Sequence, residues 1–135
     1  MIYLPILLLP LECNEAIARY PHTALVARRP KQARTLIADP THTVIVSAAT
    51  LWEMRIKQKL GKLKVPGNIM ACVKAEEFEW LPVSPEHADA TLDLPMLHRD
   101  PFDRMLVAQA KYLRLTLLTT DPQLPEYGSF VRHLV

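Results

Sequence analysis

The chain has 135 residues, of which half are hydrophobic and 22% are charged, a balance that suits one globular domain with its own core. Its 16 lysine and arginine residues nearly balance 14 acidic residues, and a net charge of +2 excludes a polybasic protein that binds nucleic acid by charge alone. The two cysteines, Cys13 and Cys72, lie far apart, which argues against a zinc cluster or a disulfide framework and favours a reducing cytoplasm.

The first thirty residues have the least regular pattern. The opening run MIYLPILLLPL is too short to span a bilayer and lacks the basic residues and cleavage site of a signal peptide, so we interpret residues 2–9 as a buried strand. Pro10, Pro21 and Pro30 interrupt the next twenty residues, of which residues 12–19 are compatible with a short helix. No membrane segment is predicted.

From residue 31 onward, helical and strand patterns alternate. Strands are predicted at residues 43–47, 78–82, 115–119 and 130–134. Helices are predicted at residues 31–38, 49–60, 68–77, from Ser84-Pro85 onward, and at residues 102–113 behind Asp100-Pro101. This alternation predicts an α/β domain of three layers, in which helices cover a mostly parallel central sheet. We expect residues 1–135 to form that single domain.

The helix predicted at residues 49–60 carries large apolar side chains at helical spacing. Trp52, Ile56 and Leu60 recur at i, i+4 and i+8, and therefore lie on one face. We predict that this face packs on the core, and that Trp52 and Trp80 are core residues rather than platforms for stacking bases.

Three acidic residues fall near one edge of the predicted sheet. Asp121 directly follows the strand at 115–119, and Glu53 lies in the first turns of the helix behind the strand at 43–47. Asp103 begins the helix that precedes the strand at 115–119 and runs antiparallel to it. Its carboxylate is therefore expected at the carboxyl ends of the strands, where parallel α/β proteins bind ligands.

Each acid also has a purely structural alternative. Glu53 follows Thr50 at the spacing of a capping box, Asp103 has the same spacing from Asp100, and Asp121 precedes a proline as a helix cap would. Three carboxylates at one edge repel each other, however, and a hard cation is the usual remedy. Because the set contains no thiolate or imidazole, it favours Mg²⁺ or Mn²⁺ over Zn²⁺ and suggests a metal-dependent nuclease or phosphatase.

The segments VSAATLWEMRIKQKLGKL, LPVSPEHADATLDLPMLHRDPFDRMLVAQA and LTLLTTDPQLPEYG occur in this order and together resemble a PIN domain, in particular the VapC-type toxins of bacterial toxin–antitoxin pairs. The resemblance covers residues 31–135, and residues 1–30 are atypical. It implies a PIN-like fold and a cytoplasmic ribonuclease that uses Mg²⁺ or Mn²⁺ at four acidic positions. It also implies a homodimer that a cognate antitoxin blocks by entering the acidic groove.

Glu53, Asp103 and Asp121 match the second, third and fourth acidic positions of that family. Asp100 is a further candidate metal ligand or a pure cap. The resemblance assigns a supporting role, hydrogen bonding to the carboxylates or to metal-bound water, to three hydroxyl residues: Ser47, Thr119 and Thr120.

The first acidic position is missing from its expected place. In the family the first strand ends in an aspartate, in a segment resembling LLDTH, but no aspartate occurs here before Asp39. Glu12 is the nearest substitute, although an exposed loop acid is the simpler interpretation. Two hypotheses result, an active ribonuclease and a degenerate PIN domain that binds partners or dimerises without cleaving RNA. A phosphatase or another metal-dependent hydrolase is a third.

Basic residues surround these segments. Arg55, Lys57, Lys59 and Arg104 are candidate contacts to RNA phosphates, and Lys62, Lys64 and Arg99 lie nearby. The alternative is a solvated helix face, with arginines that pair with the acids. Among five scattered histidines, His98 is nearest to the acidic segments, and we expect it to be structural or to face solvent.

Overall fold

The structure is a computed structural model that describes residues 2–4, 35–36, 39–62, 68–75, 77–119 and 121–134. Its centre is a sheet of five strands in the order β3-β2-β1-β4-β5, and every neighbouring pair of strands is parallel. The strands are β1 (Ile2–Leu4), β2 (Val44–Ser47), β3 (Glu79–Leu81), β4 (Thr116–Thr119) and β5 (Val131–His133). The predicted parallel α/β architecture is therefore confirmed.

From residue 39 onward, the described residues include four α-helices that connect and cover the strands. They are α1 (Ala48–Lys59), α2 (Ile69–Ala75), α3 (Pro85–Ala90) and α4 (Pro101–Leu113), and Thr91–Asp93 and Leu124–Tyr127 form short 3₁₀ helices. Most predicted boundaries from residue 43 onward agree within one or two residues, which is the usual scatter at helix and strand ends. The first strand is described only to Leu4, and the helix predicted at 12–19 lies outside the described residues. Of the helix predicted at 31–38, residues 35–36 are described and are helical.

Local capping signals account for where α3 and α4 begin. The Ser84 side chain accepts the main-chain N–H of His87, and the His87 ring in turn accepts the N–H of Ser84, which completes a capping box. Asp100 caps α4, with Pro101 at its first position, and Arg114 in the left-handed conformation ends it. Both starts were predicted from the sequence.

The main core lies between α4 and the sheet. Leu106, Val107 and Ala110 of α4 are fully buried and belong to the same cluster as Leu117 of β4. Because α4 packs on the sheet through these residues, its first turn lies near the carboxyl edge of the sheet. Among the described residues, no helix combines the length and hydropathy needed to cross a membrane.

The prediction for the apolar face of α1 was wrong. Trp52 and Leu60 are 63% and 64% exposed, and Ile56 is partly exposed. The buried side of α1 instead carries Met54 and Glu53, with smaller residues beside them. The spacing of apolar residues defines a helix face but does not determine what that face contacts. In α1 the face that packs on the core is the one with fewer large apolar side chains. Trp80, by contrast, is half-buried and packs on the cluster that contains Met54, as predicted.

Candidate metal centre

The carboxyl edge of the sheet carries the acidic residues. The register pairs Leu4 of β1 with Val46, so that the central strand ends beside the end of β2, where Ser47 starts α1. Thr119 ends β4 on the other side of β1. Helices α1 and α4 both begin near this edge, because each connects to a strand that lies parallel to the others.

The acidic side chains meet there in two overlapping groups. One ligand atom each from Glu53, Asp100 and Asp103 lie within 4.8 Å of one another, and one each from His98, Asp103 and Asp121 do the same. Asp103 belongs to both groups. The structure therefore brings together the three acids that the sequence selected, along with Asp100.

Glu53 is not a capping residue. Ser47 is the N-cap of α1, which excludes the alternative in which Thr50 opens a capping box with Glu53. Glu53 is only 4% exposed, and its Oε1 lies 2.7 Å from Nζ of Lys57. Its Oε2 is buried and has no hydrogen-bond partner among the described residues. An unpaired buried carboxylate oxygen is costly, and a ligand is one reason for a protein to retain it.

Asp100 and Asp103 divide two tasks between them. Oδ1 of Asp100 accepts the main-chain N–H groups of Phe102 at 2.8 Å and Asp103 at 3.2 Å, which confirms the predicted cap. A full capping box also requires Asp103 to accept the N–H of Asp100. That N–H instead donates to Nδ1 of His98 at 3.2 Å. The carboxylate of Asp103 is thus not used for capping.

The environment of Asp103 disfavours its negative charge. Burial, reinforced by the nearby carboxylates of Asp100 and Glu53, raises the pKa of Asp103 to about 6 from an ordinary value of 3.8. Repulsion within the cluster is therefore substantial when no cation is present. A divalent cation would relieve it by pairing with several oxygens at once.

Asp121 uses its two oxygens differently. Oδ1 accepts the main-chain N–H of Gln123 at 2.8 Å, and Oδ2 lies 3.4 Å from Nε2 of His98. The main-chain N–H of Asp121 donates to Oγ1 of Thr119 at 3.0 Å. Because the following 3₁₀ helix starts only at Leu124, Asp121 closes a tight turn rather than capping that helix directly.

His98 is the residue that sequence reasoning missed. Its side chain is mostly buried, and Nε2 lies 3.6 Å from Oδ2 of Asp103 and 3.4 Å from Oδ2 of Asp121. The sequence feature that could have indicated its role is its position two residues before the cap Asp100, which places His98 next to the start of α4. No local pattern showed that its ring also reaches Asp121.

The residues present fit a hard divalent cation. The set offers carboxylate oxygens from Glu53, Asp100, Asp103 and Asp121, including the partnerless Oε2 of Glu53. Oxygen ligands of this kind suit Mg²⁺ or Mn²⁺.

The predicted supporting residues act around the cluster. Ser47 is buried, donates to Oε1 of Gln109 at 2.7 Å and accepts the N–H of Ala49, so it holds α1 to α4 rather than bonding a carboxylate. Thr119 orients the main chain of Asp121. Thr120 and the possible substitute acid Glu12 lie outside the described residues.

The basic residues separate into different environments. Lys57 belongs to the cluster through Glu53, whereas Arg55, bonded to Gln58, and Lys59 are exposed. Lys62 is also exposed, and Lys64 lies outside the described residues.

Arg104 has a different environment from the RNA contact proposed for it. Its guanidinium donates to the carbonyls of Thr91, Leu94 and Pro95 at 2.9 to 3.3 Å and to the hydroxyl of Tyr127 at 3.3 Å. These contacts favour a structural role over phosphate binding.

An apolar groove lies beside the acidic cluster, between the first turns of α1 and α4. The rings of Trp52 and Phe102 both line the groove and contact each other edge to face, with centroids 5.2 Å apart. The groove has a volume of about 510 Å³ and is lined by Ala48, Ala49, Trp52, Pro82, Val83, Pro101, Phe102 and Met105.

A parallel α/β sheet with clustered carboxylates at the carboxyl ends of its strands defines a class of domain suited to binding divalent cations. Within that class, the PIN domain family model matches residues 23–129, more than half of the chain. The chain therefore belongs to the PIN domain family, as its resemblance predicted.

Two solved structures have a similar fold. One is a toxin–antitoxin complex from Klebsiella pneumoniae, with a TM-score of 0.60 and 16% identity over 98% of this chain and 96% of that chain. The other is VapBC2 from Rickettsia felis bound to a DNA fragment from their promoter, with a TM-score of 0.59 and 16% identity over 100% of both chains. At such identities the similarity establishes the fold alone. A comparison with curated proteins gave no significant match.

Proposed function

We propose that this chain is a metal-dependent endoribonuclease of the VapC toxin type. Glu53, Asp103 and Asp121 hold Mg²⁺ or Mn²⁺, with Asp100 contributing through the oxygen that its cap does not use. The observation that carries the proposal is the buried Oε2 of Glu53, which lies in a cluster of carboxylates and has no hydrogen-bond partner in the part of the chain that the structure describes. A site used only for structure would be expected to satisfy that oxygen.

When bound by these carboxylates, the cation would supply a water of lowered pKa and a counter-charge for the phosphodiester. The chain's own residues prepare that centre. Asp103 must release its proton before it binds the cation, and Lys57 neutralises one oxygen of Glu53 while the other remains available. Arg55 and Lys59, both exposed on α1, are the proposed contacts to the RNA backbone. Arg104 is not included, because main-chain carbonyls occupy its guanidinium.

The alternative is a degenerate PIN domain that binds partners without cleaving RNA. Strand β1 is described as far as Leu4, level with Val46, and the first acid after it in the sequence is Glu12, which lies outside the described residues. If no acid lies at the end of the central strand, the cation would have fewer ligands from the protein and the attacking water would be less well placed. A missing acid at this position would lower the rate of RNA cleavage without changing the fold.

We also propose an antitoxin protein and a second copy of the chain as partners, in the cytoplasm. The two solved neighbours come from toxin–antitoxin systems. The exposed side chains of Trp52 and Leu60 and the adjoining apolar groove supply a surface of the kind that protein partners cover.

RNA cleavage with Mn²⁺ or Mg²⁺ tests the activity directly. We expect Asp103→Asn to lose at least about 100-fold in rate, by analogy with removal of other groups that stabilise a transition state. Asp89→Asn, a change at an exposed acid of α3, is the matched control and should retain full activity. Equal cleavage by the wild type and Asp103→Asn would indicate a contaminating nuclease and contradict the assignment.

Calorimetric titration with Mn²⁺ separates the alternatives. Mn²⁺ binding that is lost in Asp103→Asn, together with metal-dependent cleavage, supports the ribonuclease. Absence of both indicates the degenerate domain. Turnover of a generic phosphomonoester without RNA cleavage indicates a phosphatase instead.

A further inference from the structure

The ring of His98 has one nitrogen whose role is set by the main chain. The N–H of Asp100 donates to Nδ1 of His98 at 3.2 Å. A main-chain N–H is only a donor, so Nδ1 must present its lone pair. The ring proton of neutral His98 is consequently on Nε2, the nitrogen that lies 3.4 Å from Asp121 and 3.6 Å from Asp103.

We propose that His98 is a positioning residue whose Nε2–H lies beside the carboxylates of Asp103 and Asp121, and that it does not ligate the cation. The proposal deepens the proposed function, since it rests on the cation site assigned there. It goes beyond the set of acidic ligands, because it assigns a role to a residue that geometry alone would also admit as a ligand.

Ligation by Nε2 would require a different tautomer. The metal needs a lone pair on Nε2, which moves the proton to Nδ1 and directs it against the N–H of Asp100. Histidines that bind metals usually donate their other ring N–H to a carboxylate or a carbonyl. His98 has the opposite arrangement, because its other nitrogen accepts a hydrogen bond from the cap of α4.

The Nε2–H of His98 lies beside two carboxylates of the candidate metal centre. Asp121 lies at the end of β4 and Asp103 in the first turn of α4, so the two carboxylates belong to different elements. The N–H dipole, whose nitrogen lies 3.4 and 3.6 Å from one oxygen of each acid, offsets part of their repulsion electrostatically. The oxygens of the two acids are thereby held near each other before a cation arrives, and the ligand set consists of oxygen atoms.

Nitrogen-15 NMR of the histidine rings tests the tautomer in the full chain. Spectra are recorded with a chelator at about pH 8, where an ordinary histidine is neutral, and His98→Gln assigns the His98 signals by their loss. We expect a protonated Nε2 and an unprotonated Nδ1, with no coordination shift of Nε2 when Mg²⁺ is added. An Nδ1-protonated ring, or a coordination shift on Nε2, would overturn the proposal. The metal-free spectrum requires neither cation nor RNA, so its outcome is independent of whether the chain is a ribonuclease.

Two substitutions at His98 test the positioning role by Mn²⁺ calorimetry. His98→Gln keeps an amide that both donates and accepts, and should retain affinity within about threefold. His98→Leu removes the donor and should lose roughly 10-fold or more, the usual effect of removing a residue that orients a ligand. His42→Leu is the control and should have wild-type affinity, because His42 precedes β2 and lies at the amino ends of the strands, away from the acidic cluster.

Thermal denaturation of each metal-free variant establishes that it is folded before affinity is compared. If His98→Gln loses as much affinity as His98→Leu, or if His98→Leu retains wild-type affinity, the positioning role is wrong.

Discussion

Asp103 is the residue at which both halves of the acidic cluster meet. It shares one group of candidate ligand atoms with Glu53 and Asp100 and the other with His98 and Asp121. Burial and the neighbouring negative charges raise its pKa to about 6, so the folded chain binds a proton there that the unfolded chain releases near its ordinary value of 3.8. The contribution of Asp103 to the free energy of unfolding therefore falls as pH rises through this window, and the loss is complete above the folded-state pKa.

Asp103→Asn should remove that penalty. In the presence of a chelator, we expect the variant to be more stable than the wild type at neutral pH by at most about 3 kcal/mol, and the difference to vanish below about pH 4. Urea denaturation across this pH range measures both values. Asp89→Asn should show no such difference. A variant less stable than the wild type at neutral pH would contradict the inferred repulsion between the carboxylates.

Lys57 is expected to stabilise the charge of Glu53. The ammonium lies 2.7 Å from Oε1 of a carboxylate that is almost completely buried. Because the lysine itself is nearly half exposed, we expect Lys57→Met to lower the free energy of unfolding by only about 1–2 kcal/mol without metal. Urea denaturation measures the loss, and Lys59→Met on the exposed side of α1 is the control.

A second substitution identifies the cause of that loss. When Glu53→Gln is already present, Lys57→Met should cost less, because no buried charge remains to be paired. Equal effects of Lys57→Met and Lys59→Met would show that the ion pair contributes nothing measurable.

At the scale of secondary structure, the start of α1 determines what Glu53 does. The helix begins directly after β2 with Ser47 as its cap, rather than at Thr50. Glu53 then lies in the second turn, on the side that faces α4, where the N-terminal N–H groups no longer need an acceptor. With Ser47 as the cap, the capping box that Thr50 and Glu53 could have formed is excluded, and the carboxylate of Glu53 is left as a candidate ligand.

Arg104 of α4 holds the segment before that helix in place through hydrogen bonds. Its guanidinium donates to three carbonyls between Thr91 and Pro95, and also to Tyr127. We expect Arg104→Gln to lower the free energy of unfolding by about 1–3 kcal/mol, since several carbonyls lose a charged donor. Thermal or urea denaturation measures the effect. Arg99→Gln, at an exposed arginine of the same segment, should change stability by less than about 0.5 kcal/mol.

RNA binding distinguishes the two roles of Arg104. Weaker RNA binding by Arg104→Gln without any loss of stability would restore it as a phosphate contact and contradict the structural role.

At the scale of the whole molecule, the sheet order places the candidate centre and an apolar surface side by side. The carboxylates lie at the ends of β2 and β4 and in the helices beside them, and Trp52 extends the surface outward from α1. A partner bound in the groove would therefore also border the acidic cluster. Binding and inhibition are expected to be linked at this surface.

Trp52→Ser tests that surface. If the chain dimerises or binds an antitoxin through it, we expect self-association or partner affinity to weaken by at least about 10-fold, because aromatic side chains contribute strongly to such interfaces. Analytical ultracentrifugation measures the first and calorimetry the second. Leu92→Ser, at an exposed leucine of the Thr91–Asp93 helix, is the control. Equal effects of both substitutions, with both proteins folded, would exclude a specific role for the groove.

Much of the fold was predictable from short-range patterns. The alternation of strands and helices, the cap Ser84 and the cap Asp100 with its proline each depend on residues within about four positions. The order of the acids along the chain likewise indicated that Glu53, Asp103 and Asp121 would meet at the carboxyl edge, because parallel strands end together.

Contacts between distant segments determined the rest. His98 contacts Asp121, and the guanidinium of Arg104 donates to main-chain carbonyls of the segment before α4. The face of α1 that carries the large apolar side chains remains exposed. None of these could be derived from local spacing, because each depends on which elements pack together and at what register. The acidic cluster was thus implied by the sequence, but its paired lysine, its unpaired oxygen and its histidine result from the packing of α1 and α4 against one sheet edge.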